Sequence, residues 1–335
     1  MSLTPQSIID ERRSSQRKVA AACGQDGIWK ASQMVSPFAQ RTRAKMFSYP
    51  LNSNSPKFFV KFIAKQGRKV LETEKHNQEF AFSTLHKLGT QQPASKQSKL
   101  LVCVPEIFDD FEYLGRYFLV MEFVPGITLN EALEPGADVL GRAGAEVVAE
   151  LDKSNLYRYI ATGIRLMSAN AKVPSEAKPG PVEGGIIRHP FFKESRAVIP
   201  YRNVEMLEKH LNKILYRMPR RKDIPAQTIT LERELEFYYS DLNGSNFIFS
   251  GADGHIILYI IDFEEAGFLP HSFQSFALEC MDRPASTRVA VNIRPLIKHD
   301  KANLAIMETL SGFLECCVSE FGLPLDGYPE THIMR

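Results

Sequence analysis

The sequence predicts an α+β protein of two lobes, a small sheet-containing lobe followed by a mainly helical one. Three observations carry this expectation. Runs of aromatic and β-branched residues concentrate before residue 125, Pro125-Gly126 ends them, and helical periodicity dominates most of the remaining chain. The expected division is therefore a sheet lobe over 1–124 and a helical lobe over 125–335.

In the first lobe, Lys57 to Ile63 (KFFVKFI) predicts a strand. A charged stretch, Ala64 to Lys75, follows. Gln78 to Leu88 predicts a helix, with Phe82, Leu85 and Leu88 spaced by three. Leu101 to Val104 is a short strand ended by Pro105. Tyr117 to Phe123 is a buried strand stopped by Pro125-Gly126.

In the second lobe, Thr128 is placed to cap a short helix through Leu133. Ala145 to Ala169, Val204 to Tyr216 and Asn303 to Phe321 predict helices. Pro174 to Pro200 reads as loop. Ile256 to Ile261 predicts a strand, and Asp253-Gly254 before it is a hairpin turn signal.

A length of 335 residues suggests two packed units. The net charge of +2 provides no global field to recruit nucleic acid or an anionic membrane. The run Arg217, Arg220, Arg221, Lys222 reads as a solvated loop, with contact to an anionic acceptor as the alternative. The five cysteines lack zinc-ligand spacing and are expected as reduced thiols, with Cys316 and Cys317 inside a helix. Met1 to Arg17 is polar, without the apolar core of a secretory signal. The longest apolar run is far too short to span a membrane. The expectation is a cytoplasmic protein that binds neither nucleic acid nor membrane.

The chemistry concentrates in Tyr239 to Asn246 and at Asp262. A polar loop between two apolar stretches presents Asp241 and, five residues later, Asn246. Asp262 follows at the end of a strand. Phosphoryl transfer needs a carboxylate to orient or deprotonate the acceptor hydroxyl, and oxygen ligands for magnesium on the phosphates. This trio supplies those groups, and one hairpin brings the Asn246 and Asp262 segments together.

The segment FYYSDLNGSNFIF…LYIIDFEEAGFLP resembles the aminoglycoside phosphotransferase and choline kinase-like family, as a fungal-type member of the protein-kinase-like superfamily. The family pattern is H-G-D-x-x-x-x-N, then I-D-[WF]-E and A-G-x-x-P. The resemblance implies a protein-kinase-like fold and an ATP- and Mg2+-dependent kinase acting on a hydroxyl of a small molecule. Asp241 takes the place of the catalytic base, and Asn246 and Asp262 those of the magnesium ligands. Lys61, on its strand, matches the phosphate-binding lysine. Glu79 is the first choice for its carboxylate partner and Glu74 the second. Main-chain groups of Glu122 and Val124 match the adenine-binding hinge. The inserted segment, about 174–230, is expected to shape the acceptor site.

Tyr239 and Ser240 replace the family's His and Gly, and no glycine lies between Gln33 and Phe47, where related kinases cover the nucleotide. The alternative these departures open is a nucleotide-binding pseudokinase or scaffold. Asp262 is followed by Phe263-Glu264 rather than Phe-Gly, and there is no H-R-D loop. A protein kinase proper is therefore not indicated.

Overall fold

A computed structural model describes residues 4–91, 100–134, 153–221, 223, 227–279, 283–317 and 321–323. It divides into two units: Met1–Met167 with Gly244–Glu264, and Ser168–Asn243 with Glu265–Arg335. This division differs from the one expected near residue 125. The reason is packing. Helix α4 (Lys153–Asn170) meets the first unit at Gly163, where Ile260, Leu258 and Val102 side chains stand 3.0–3.2 Å from an added Cβ.

The first unit opens with a long helix, α1 (Pro5–Val35), in the region the sequence marked only as polar. Thr4 caps it by accepting from the Ser7 N–H, and Gly24 interrupts its helical dihedrals. Next come β1 (Lys45–Tyr49), β2 (Phe58–Ala64), α2 (Arg68–Gln91), β3 (Leu100–Cys103), β4 (Ile107–Tyr113) and β5 (Arg116–Glu122). A sheet of order β1-β2-β5-β4 is antiparallel throughout.

Strand alternation assigns its two faces. Phe58, Val60 and Phe62 of β2 pack with Ile28 and Ala31 of α1. Ile63, with Leu119 and Met121 of β5, packs with Leu71 of α2. Lys61 shares the period of Phe59 and Ile63, so it belongs to the α2 face.

The remaining strands of this unit are β6 (Ile127–Thr128), β8 (Phe247–Ala252) and β9 (His255–Ile260), in a second sheet of order β3-β9-β8-β6. Here β3 runs parallel to β9 instead of joining the first sheet. The expected hairpin is present: Ala252 pairs with His255 around Asp253-Gly254, both with positive φ. Thr128 caps α3 (Leu129–Leu133) in a capping box with Glu131.

The second unit contains α5 (Val204–Arg217), the two-stranded sheet β7 (Glu236–Tyr239) with β10 (Ala266–Leu269), α6 (His271–Glu279), α7 (Pro284–Ile293) and α8 (Leu304–Cys316). Its core joins Phe191, Tyr201, Leu207, Leu211, Phe273 and Leu310. The α+β class expected from the sequence is the class observed.

Two helical expectations change length. The helix expected from Gln78 begins at Arg68, and α8 stops at Cys316, leaving Cys317 extended as its cap. Residues 145–152 of the expected Ala145–Ala169 helix lie outside the described residues, as does Cys280. The other four cysteines are free thiols. Among the described residues, no helix is long and apolar enough to cross a membrane.

Candidate active site

The strand alternation that turns Lys61 toward α2 decides its partners. Lys61 is 7% exposed, and its ammonium pairs with the Glu74 carboxylate and lies 3.1 Å from Asp262 Oδ1. Burial alone lowers the lysine pKa, but Glu74 and Asp262 outweigh it and hold the group above its ordinary value. Lys61 is thus a fixed cation at neutral pH. Burial pushes the Glu74 carboxyl up to about 7, with Lys61 pulling the other way.

Glu79, the first-choice partner, is elsewhere. It is half exposed and stands 3.8 Å from Lys75, one turn away on the same helix. Helix geometry explains the correction. Five residues at roughly 100° each place Glu79 about 140° around α2 from Glu74. Buried Leu71, Glu74, Gln78, Ala81 and Leu85 form the inward stripe. That stripe was present in the sequence, but reading Ala64 to Lys75 as a charged stretch hid its first turn.

The hairpin β8–β9 brings the next two groups together. Phe247 pairs with Ile260, and the Ile261 N–H donates to the Asn246 carbonyl at 3.0 Å. Asn246 and Asp262 therefore flank the open end of one hairpin. Asn246 is 6% exposed, on a 3-10 turn over Gly244–Asn246. A side chain at Gly244 would meet Asn130 Oδ1 of α3 at 2.2 Å, so Asn130 would have to move to admit one. Asp262 has φ 63°, a left-handed conformation that Asp and Asn adopt more readily than other side chains.

Lys61, Glu74, Asn246 and Asp262 line a cavity of about 340 Å³, together with Glu122 and Val124 at the end of β5. The Glu122 carboxylate faces α1 and is fully buried. It accepts from Arg12 and Arg13 at 2.7 Å each, and from the Tyr259 hydroxyl at 3.3 Å. Gln16 of α1 binds both main-chain groups of Phe123 at 3.0 Å. Sequence reasoning missed this support. Its only signal was the polar cluster Arg12, Arg13 and Gln16 in a segment not read as helix.

In the second unit, Asp241 follows β7, and its carboxylate accepts the Asn243 N–H at 3.3 Å. The loop start is braced at Tyr239 and Ser240. Ser240 donates both its N–H (3.0 Å) and its hydroxyl (3.1 Å) to the Glu265 carbonyl. The Tyr239 N–H donates to Gln274 Oε1 at 3.0 Å. The Glu265 carboxylate is itself gripped bidentately by Arg283 at 2.6 and 2.9 Å.

An α+β fold carrying a buried lysine–carboxylate pair beside an Asn/Asp hairpin is the build of a phosphotransferase. Residues 53–271 match the phosphotransferase enzyme family, and the chain belongs to that family. Its structure is similar to that of an aminoglycoside-3'-phosphotransferase of type VIII, at 14% identity over 81% of this chain and 93% of that one, with a TM-score of 0.38. It is also similar to a microcompartment-associated aminopropanol kinase, at 14% identity over 86% of each chain, with a TM-score of 0.35. No curated protein matches the chain.

Proposed function

We propose that the chain is an ATP-dependent phosphotransferase that moves the γ-phosphate to a hydroxyl of a small molecule. The observation that carries this reading is the convergence of Lys61, Glu74, Asn246 and Asp262 on one cavity whose wall is the end of β5. In this reading Lys61, held rigid by Glu74, pairs with phosphate oxygens. Main-chain groups of Glu122 and Val124 hold the adenine.

The residues fit magnesium. Asn246 and Asp262 offer an amide oxygen and a carboxylate, a hard-donor pair that leaves the other positions to phosphates and water. Bound there with ATP, the ion would neutralise charge on the phosphate oxygens. Among the described residues, no three His, Cys, Asp or Glu side chains cluster as a metal cage. That suits a metal held partly by its substrate. Asp241 is the base that takes the acceptor's hydroxyl proton, and Ser240 and Tyr239 fix the start of its loop. In this reading the inserted segment, about 174–230, is the part that takes the acceptor.

The test has two stages. Thermal melting with and without Mg-ATP should show a stabilising shift that needs both components. ATP consumption is then screened against amino sugars, amino alcohols and sugars. No shift at millimolar nucleotide, together with no consumption by any acceptor, would overturn the reading.

A further inference from the structure

We propose that Gln16 of α1 is a positioning residue that sets the purine preference of the hinge, an inference that rests on the nucleotide-binding reading above. Its side-chain amide donates to the Phe123 carbonyl and accepts from the Phe123 N–H, both at 3.0 Å. This is the pairing one strand residue gives another, made here by a single side chain that is 5% exposed. The orientation of the amide is fixed, because the reverse would set oxygen against oxygen and nitrogen against nitrogen.

Neighbouring bonds lock the same segment. Arg12 and Arg13 hold the Glu122 carboxylate, Arg13 also donates to the Val104 carbonyl at 3.1 Å, and the Glu122 N–H donates to the Glu106 carbonyl at 2.8 Å. In an extended chain, successive residues turn their main-chain groups to opposite edges. With those of Phe123 committed to Gln16, those of Glu122 and Val124 lie on the other edge. That edge carries Glu106 and Pro105, and Pro105 lines the cavity.

A carbonyl at Glu122 and an N–H at Val124 complement the amino donor and ring-nitrogen acceptor of adenine. Guanine presents a carbonyl and a ring N–H in the reverse order. A hinge free to rotate its peptide units could serve either base. Gln16 removes that freedom, so it selects adenine without touching it.

The experiment titrates ADP and GDP, with magnesium, into the full chain and into Gln16→Ala. Wild type should bind ADP at least about tenfold tighter than GDP. The variant should lose about tenfold in ADP affinity while GDP holds, bringing the two within about threefold. A merely structural role would weaken both alike, and that result, or an unchanged ratio, overturns the inference. Wild type that binds both equally overturns it while leaving the function reading intact. Wild type that binds neither overturns both. If circular dichroism shows Gln16→Ala unfolded, Gln16→Glu, which keeps the acceptor and loses the donor, decides by the same ratio.

Discussion

The Lys61 ammonium lies 3.1 Å from the Asp262 carboxylate, 201 residues further along the chain, and shares its remaining bonding capacity with Glu74. One cation thus ties β2, α2 and the end of β9 together. Removing one member of a buried pair strands the other. Glu74→Ala should cost about 3 kcal/mol in urea unfolding, whereas Glu79→Ala should stay within about 0.5 kcal/mol. Equal costs would show that the Lys61–Glu74 pair does not hold the fold.

Asp262→Asn should keep the fold, since asparagine tolerates the same backbone conformation. It should remove the magnesium-dependent nucleotide thermal shift. A shift that still depends on magnesium would place the metal elsewhere.

Asp241→Asn should lower phosphoryl transfer by about 10²- to 10⁴-fold, the usual weight of a general base. The Mg-ATP thermal shift should persist. The check is turnover of any accepted acceptor alongside nucleotide binding, and unchanged turnover would remove Asp241 from the chemistry.

Ser240→Ala deletes the hydroxyl bond to the Glu265 carbonyl and keeps the N–H bond. The expected cost is about 1 kcal/mol of stability, together with a fall in kcat larger than any change in KM for ATP. A stability loss with kcat intact would mean that the brace serves the fold alone.

Two buried histidines set a pH dependence. His189 donates from Nε2 to the Phe273 carbonyl at 3.0 Å and accepts the Phe191 N–H at Nδ1. Burial, reinforced by Arg283, lowers its pKa to about 3. His210, bonded to Tyr201 and the Phe321 carbonyl, is lowered by burial to about 4. Both are neutral when folded, while the unfolded chain protonates near 6.5. Their stability contribution is full above pH 6.5 and is lost as pH falls from there toward 4. Between pH 7 and 5 each should remove about 2 kcal/mol. His271, raised by Glu236, works in the opposite direction, its contribution present at low pH and fading as pH rises. Urea midpoints of wild type and His189→Gln across this window should show a shallower decline in the variant.

Much of this was legible in local pattern. The strand bearing Lys61, the Thr128 cap, the Asp253-Gly254 hairpin and the amphipathic α5 all follow from spacing within a few residues of each. What was not legible depended on distant partners. Nothing near Leu101 indicates that β3 pairs with β9 rather than with the first sheet. Nothing near Arg12 indicates that Glu122 awaits it 110 residues later. The Glu74 assignment was an intermediate case, lost because the first turn of α2 is rich in charge.

The left-handed backbone at Asp262 has a consequence in evolutionary terms. A lineage drifting away from catalysis would meet little resistance to asparagine at this position, which discards the carboxylate charge while suiting the same dihedral angles. Alanine would remove the same charge and add backbone strain of about 1–2 kcal/mol as well. Inactive descendants of this fold should therefore carry asparagine here more often than chance substitution would give.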